Sequence, residues 1–178
     1  DVQFVDLDIP VPRDDEVLIK VRAVSMNASD CEMLKGSPLY VRLWGLRKPK
    51  YQILGSDVAG TVESVGKDVS RFKPGDEVFG DLMGTWGAFA EYVCAPERAL
   101  MIKPANMSFE TAATLPQASL VAYQGMIEKG QLKSGQKVLI NGAGGGTGSF
   151  AIQIAKLHGA EVSAVDSGPK LGLMRSLG

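Results

Sequence analysis

Apolar and polar residues alternate along Glu16 to Val24 (EVLIKVRAV), the period of a half-buried strand. Asp57 to Val65 (DVAGTVESV), β-branched and flanked by Gly55 and Gly66, reads as a second strand. Between them, Ser29 with Glu32 forms a capping box. It opens a short helix through Lys35, and Gly36 is placed to end it. Pro74-Gly75-Asp76 makes a tight turn into Glu77 to Gly80, and Ala88 to Ala95 (AFAEYVCA) alternates again. Short strands punctuated by Gly and Pro predict a small β-barrel or sandwich-like domain.

The period changes near Ser108. Ser108 caps a helix that stops before Pro116, and Ala118 to Lys129 reads as another, closed by Gly130. Lys137 to Asn141 (KVLIN) is an apolar run suited to a strand buried on both faces. A glycine cluster follows, then a helix from Phe150 to His158, a strand from Glu161 to Val165 and a helix from Lys170 to Leu177. Strand, glycine turn, helix, strand is a βαβ unit. The expected fold class is α/β with a β-rich first domain.

Composition narrows the function. Lys+Arg 19 against Asp+Glu 20 gives a net charge of −1, without the basic stripe that a nucleic-acid surface needs. A mean hydropathy of +0.04 and the lack of a long uncharged apolar stretch argue against a membrane span. One His and two Cys are too few soft ligands for an ordinary zinc site. Cys31 and Cys94 read as reduced thiols, which points to the cytoplasm. Asp1 to Pro12 is no signal peptide, and a start at Asp1 rather than Met suggests a chain cut at its beginning. The 21 glycines among 178 residues exceed a usual share of about 7%.

Five of those glycines crowd into Gly142 to Gly148. A diphosphate approaches backbone only where side chains are absent, and the next helix offers free N–H groups and a positive dipole end. Ala143-Gly144-Gly145-Gly146-Thr147-Gly148 fits an A-x-G-x-x-G variant of the dinucleotide fingerprint, with Gly145 for close approach and Gly148 for helix packing. No Gly-Lys-Ser/Thr follows, so it is not a Walker A loop.

Asp166 ends the second strand about 18 residues beyond Gly148, where an acid takes the ribose 2′-hydroxyl of NAD. Ser167 and Lys170 stand close by and suit a 2′-phosphate instead. The alternative is a plain turn and helix start with Lys170 solvated. NADP(H) and NAD(H) both stay open, with a lean to NADP(H).

Six stretches together carry a resemblance: EVLIKVRAVSMNASD (16–30), LGSDVAGTVESVG (54–66), FKPGDEVFG (72–80), GAFAEYV (87–93), TLPQASLVAYQGM (114–126) and GQKVLINGAGGGTGSFAIQIAKLHGAEV (135–162). In this order they resemble the medium-chain dehydrogenase/reductase superfamily, in its zinc-free quinone oxidoreductase (zeta-crystallin-like) branch. The resemblance implies a GroES-like β-barrel catalytic domain over 1–113. Residues 114–178 would be the first part of a Rossmann doubly wound domain, truncated after two of about six strands. A cleft between the two would hold the active site, and the parent protein would be a homodimer. The piece alone is expected to be inactive.

In register with the zinc alcohol dehydrogenases that the chain also resembles, the first Cys ligand falls on Asn27. Their Gly-His-Glu falls on Gly55-Ser56-Asp57 and their last Cys on Gln117. The resemblance thus implies a site with no zinc, in which hydrogen-bond donors polarise the substrate. Asn27 and Gln117 carry amide donors for this role, or make ordinary loop and turn bonds. Asp30 either orients a donor or supports its helix N-terminus. Tyr40 or solvent supplies the proton. Val121 replaces a threonine common on a helix that, by resemblance, lines the nicotinamide with Tyr123 and Gln124. Pro38 to Tyr51, with Tyr40, Arg42, Trp44, Arg47, Lys48, Lys50 and Tyr51, is a substrate lid or a solvated basic loop.

The expected function is zinc-independent, NAD(P)H-dependent hydride transfer to a small-molecule quinone, enone or related conjugated carbonyl. The alternatives are reduction of simple aldehydes and ketones, or a non-catalytic cofactor-binding scaffold.

Overall fold

A computed structural model describes residues 2–45 and 50–178 of the chain. Two compact units divide it, Asp1–Thr114 and Leu115–Gly178. The basic residues Arg47 and Lys48 lie outside the described residues.

The first unit contains strands β1 (Glu16–Ser25), β2 (Asp57–Val65), β3 (Glu77–Asp81), β4 (Tyr92–Pro96) and β5 (Leu100–Ile102), with helices α1 (Ala28–Lys35) and α2 (Phe109–Ala113). The strands form one antiparallel sheet in the order β4-β1-β2-β3-β5. Val17, Ile19, Val58, Val62, Val78 and Leu100 from these strands meet in its core with Phe72 and Leu82. Edge strands β4 and β5 are joined only by the 3-10 turn Glu97–Ala99. Pro96 pairs with Glu16 at the start of β1, whereas Leu100 pairs with Gly80 near the end of β3. A flat five-stranded sheet holds its edges about 19 Å apart, and a three-residue 3-10 turn advances only about 6 Å. The link therefore closes only on a sheet rolled up with tilted strands, the shape of a small barrel.

Several local expectations change. The capping box lies at Asn27 and Asp30, two residues before Ser29 and Glu32, because the Asp30 carboxylate also binds Gly55 across the chain. Gly36 ends α1 in the left-handed region, as expected. The strand expected over Ala88 to Ala95 starts only at Tyr92. Ala88 and Phe89 instead donate their backbone N–H groups to Gly55 and Leu54. Short β5 carried too few residues to show an alternation.

The second unit holds α3 (Pro116–Tyr123), β6 (Lys137–Asn141), α4 (Gly146–Leu157), β7 (Glu161–Val165) and α5 (Leu171–Ser176). β6 and β7 run parallel, Lys137 opposite Glu161 through Asn141 opposite Val165. That pairing with α4 between them is the expected βαβ unit. α3 starts on Pro116 at its first turn, where a missing N–H is harmless, and widens into a π-helix over Gln124–Lys129. The fourth helix begins at Gly146 rather than Phe150, so the last glycines of the cluster are helical. β6 is buried on one face rather than two. Ile140 packs against α4 with Ile152 and Ala151, whereas Leu139 on the other face is 72% exposed.

Candidate functional site

The turn after β6 is almost bare backbone. Gly142 leaves the strand with φ +77, a conformation that a side chain resists. Ala143 is fully buried beneath it. Gly145 caps α4, its N–H bonded to Gly142 O at 3.0 Å. A Cβ at Gly148 would overlap the Gly142 carbonyl oxygen and come within 2.6 Å of Ala143 Cα, so glycine lets the helix sit against the turn. At Gly145 a Cβ would meet only Gly142 O, at 3.3 Å. The first helical N–H groups, those of Gly146, Thr147 and Gly148, have no acceptor one turn back within α4. Gly146 and Thr147 are exposed. Open backbone, free donors and the positive end of a 12-residue helix fit a diphosphate.

Asp166 closes the far side. Its Oδ2 accepts the Gly144 N–H at 2.9 Å, and its Oδ1 accepts the Ser167 N–H at 2.7 Å. Lys170 Nζ stands 3.3 Å from Oδ1. These contacts, the Ser167 backbone bond foremost, hold the carboxyl below its ordinary pKa. The structure thus sets Asp166, Ser167 and Lys170, neighbours in the sequence, against Gly144 of the turn. Gln117 occupies the first turn of α3 and is half-buried, while Val121, Tyr123 and Gln124 are exposed.

In the first unit a polar cluster sits among buried strands. Asn27 Nδ2 donates to Asp57 Oδ2 at 2.9 Å and lies 3.4 Å from Ser56 Oγ. Ser25 Oγ donates to the same Asp57 oxygen at 2.9 Å. Asp30 accepts the Asn27 N–H at 2.7 Å and the Gly55 N–H at 3.0 Å. Asp30, Ser56 and Asp57 are all buried, and among the described residues no buried side-chain polar atom lacks a partner. Asp30 therefore supports its helix and anchors the 54–56 loop beside Asn27. Sequence register had located Ser56 and Asp57 but gave them no role.

Beside α1 lies a cavity of about 260 Å³, its walls including Met33, Tyr40, Val41, Tyr51, Met83 and Trp86. Tyr40 belongs to a 3-10 helix, Leu39–Trp44, rather than a loop, and its hydroxyl lies 3.5 Å from Glu32 Oε2. Tyr51 donates to Gly84 O at 2.6 Å, and its ring centroid lies 6.1 Å from that of Trp86. Trp86 has φ 59, uncommon for a bulky residue, and is buried. Sequence reasoning missed it; Gly84 and Gly87 on either side were the available signal.

Among the described residues no helix is long and apolar enough to cross a membrane, and no three His, Cys, Asp or Glu side chains gather as a metal cage.

Residues 13–105 match the family described as the alcohol dehydrogenase GroES-like domain. The chain is 39% identical over 189 residues to the 2-methylene-furan-3-one reductase of Solanum lycopersicum, covering 100% of this chain and 47% of that protein. It is 36% identical to the chloroplastic NADPH-dependent alkenal/one oxidoreductase of Arabidopsis thaliana, again covering 100% and 47%. The solved quinone oxidoreductase of Coxiella burnetii superposes with a TM-score of 0.90 at 35% identity, over 99% of this chain and 55% of that one. The chain spans about half the length of the curated relatives it matches. A barrel matched by the GroES-like family, continued by a βαβ unit with a glycine turn, places this chain in the medium-chain dehydrogenase/reductase superfamily, within its quinone oxidoreductase branch.

Proposed function

We infer that the protein is an NAD(P)H-dependent oxidoreductase that passes hydride to the conjugated carbonyl of a quinone or enone. The observation that carries this reading is the bare-backbone turn, Gly142 to Gly148, at the N-terminus of α4. The names of the relatives, which include a quinone oxidoreductase and an alkenal/one oxidoreductase, support the substrate class.

Bound at this turn, a nicotinamide dinucleotide supplies the hydride. Gly142, Ala143, Gly144, Gly145, Gly146, Thr147 and Gly148 hold its diphosphate, while Asp166, Ser167 and Lys170 meet its adenosine ribose. NADP(H) is the favoured form. Asn27 steadies the substrate oxygen. One amide hydrogen is fixed by Asp57 at 2.9 Å, so the second, with only a 3.4 Å contact to Ser56, is the one a substrate oxygen takes over. Asp30 positions Asn27 through its backbone N–H. Gln117 offers a second amide donor, and Tyr40 or solvent delivers the proton. Serine is a poor zinc ligand, so the pair Asn27 and Ser56 suits polarisation by hydrogen bonds. Free Cys31 and Cys94 suit a reducing compartment such as the cytoplasm.

The test is oxidation of NADPH by the intact protein with a panel of naphthoquinones, 2-alkenals and saturated aldehydes. Conjugated carbonyls should exceed saturated ones in kcat/KM by about 100-fold or more, a gap of about 3 kcal/mol in transition-state binding. Tight NADPH binding without turnover of any conjugated carbonyl would sink the enzymatic reading.

A further inference from the structure

The cavity beside α1 contains a donor that the fold leaves unused. Its volume of about 260 Å³ comes close to the roughly 300 Å³ of the smaller ligand pockets. Trp86 in its wall is only 5% exposed, yet among the described residues no acceptor is in place for its indole N–H. No side-chain nitrogen or oxygen sealed from solvent there lacks a partner, so this N–H borders open space, and the space that Trp86 lines is the cavity. A donor left unmade in an apolar recess is costly, and a ligand oxygen would satisfy it.

The donor is also rigidly held. Trp86 keeps φ 59, a conformation that persists only where the surroundings impose it and that gathers at ligand sites. Its backbone N–H donates to Leu82 O at 2.7 Å, and the Leu82 N–H donates to Ser56 O at 2.6 Å. Ser56 Oγ in turn lies 3.4 Å from Asn27 Nδ2. The amide of Asn27 and the indole of Trp86 are thus braced through one residue. Tyr51 fixes the same turn by donating to Gly84 O at 2.6 Å. Ser29, Glu32 and Met33, spaced i, i+3 and i+4, turn one face of α1 to the cavity, so the helix that Asn27 caps also forms its wall.

The walls set the ligand chemistry. Met33, Val41 and Met83, with the rings of Tyr51 and Trp86, suit an apolar planar body. Glu32 Oε2, 3.5 Å from the Tyr40 hydroxyl, disfavours an anion, so the oxygen offered to Trp86 is a carbonyl rather than a carboxylate. We propose that Trp86 is a specificity residue whose indole N–H takes the second carbonyl oxygen of a quinone, the first resting on Asn27. A simple enone has no second oxygen and leaves the donor unmet. The inference rests on the chain being a reductase of conjugated carbonyls.

Steady-state kinetics of the intact protein with NADPH compare duroquinone with carvone, rings of similar size that carry two carbonyls and one. Trp86→Phe keeps an aromatic wall and removes the N–H. The duroquinone-to-carvone ratio of kcat/KM should fall at least about tenfold, chiefly through the KM of the quinone. An unchanged ratio, with both substrates losing alike, is the mark of a merely structural wall and overturns the proposal. Binding gives a second readout by nuclear magnetic resonance of isotope-labelled protein. The indole N–H signal of Trp86, told from that of Trp44 by Trp44→Phe, should move downfield on titration with duroquinone and not with carvone. If Trp86→Phe fails to fold, an indole signal unmoved by saturating duroquinone overturns the proposal. Turnover of neither substrate by the parent rejects the enzymatic reading instead, while the indole signal still decides whether the contact forms.

Discussion

Asn27 Nδ2 donates to Asp57 Oδ2 at 2.9 Å, although the two residues are 30 apart in sequence and sit on separate elements. Asp57 is fully buried at the start of β2, and Ser25 at the end of β1 donates to the same oxygen. Removing the acceptor leaves two donors without it in a place closed to water. Asp57→Ala should therefore cost about 2–4 kcal/mol in stability. Urea unfolding of parent and variant measures it, and a loss under about 0.5 kcal/mol would mean the cluster is idle.

Asn27→Ala separates structure from chemistry. The variant should lower kcat about 100-fold with a KM change under about threefold, because the donor acts on charge that develops only in the transition state. Unchanged turnover in a folded variant would remove Asn27 from the reaction.

Gly148→Ala places a methyl against backbone atoms of Gly142 and Ala143, neither of which can swing aside. The turn must open or the helix must shift. Dinucleotide affinity should fall at least about tenfold and stability by about 1–3 kcal/mol. Calorimetry and thermal melting read the two effects; a variant with parental affinity would show that the turn does not hold the ligand.

Glu97 provides a pH signature. Backbone N–H groups of Arg71 and Ser70 bond its carboxylate, the Arg71 bond foremost, and hold it below its ordinary pKa of 4.5. A depressed folded pKa contributes stability above the unfolded value, and that contribution is lost as pH falls through the folded one. Thermal melting should therefore drop as pH is taken below 4.5, and Glu97→Gln should show a shallower drop. Identical pH profiles would show that Glu97 takes no part.

Cys94 should resist alkylation. Burial first, then the nearby Glu16 carboxylate, pushes its thiol up to about 11. Near neutral pH under about one thiol in a thousand is ionised. Mass spectrometry after iodoacetamide treatment of the folded protein should find Cys94 unmodified, and rapid labelling would contradict the burial.

What the sequence revealed depends on how local the cause was. The limits of β6 and β7 and the chemistry of Gly142 to Gly148 were legible because apolar runs and bare backbone are local demands. The Asn27–Asp30 box was missed in favour of Ser29–Glu32, since both have the same spacing. The choice came from Gly55, a distant backbone donor. Burial of β6 on both faces assumed cover that Leu139 does not have. The positive φ of Trp86 had only its neighbours Gly84 and Gly87 as a signal, and the hold of Asp166 on Gly144 depends on where remote segments cross, which no local pattern records.

The Glu97–Ala99 joint has one more consequence. Surface connections elsewhere absorb an extra residue at small entropic cost. Here the length is set by the circumference and stagger of the barrel, and Gly80 leaves just enough room for the Ala99 carbonyl to lie against it. An insertion would be taken up by the curvature of all five strands, so the shortest strand-to-strand connection in the unit works as its gauge of diameter.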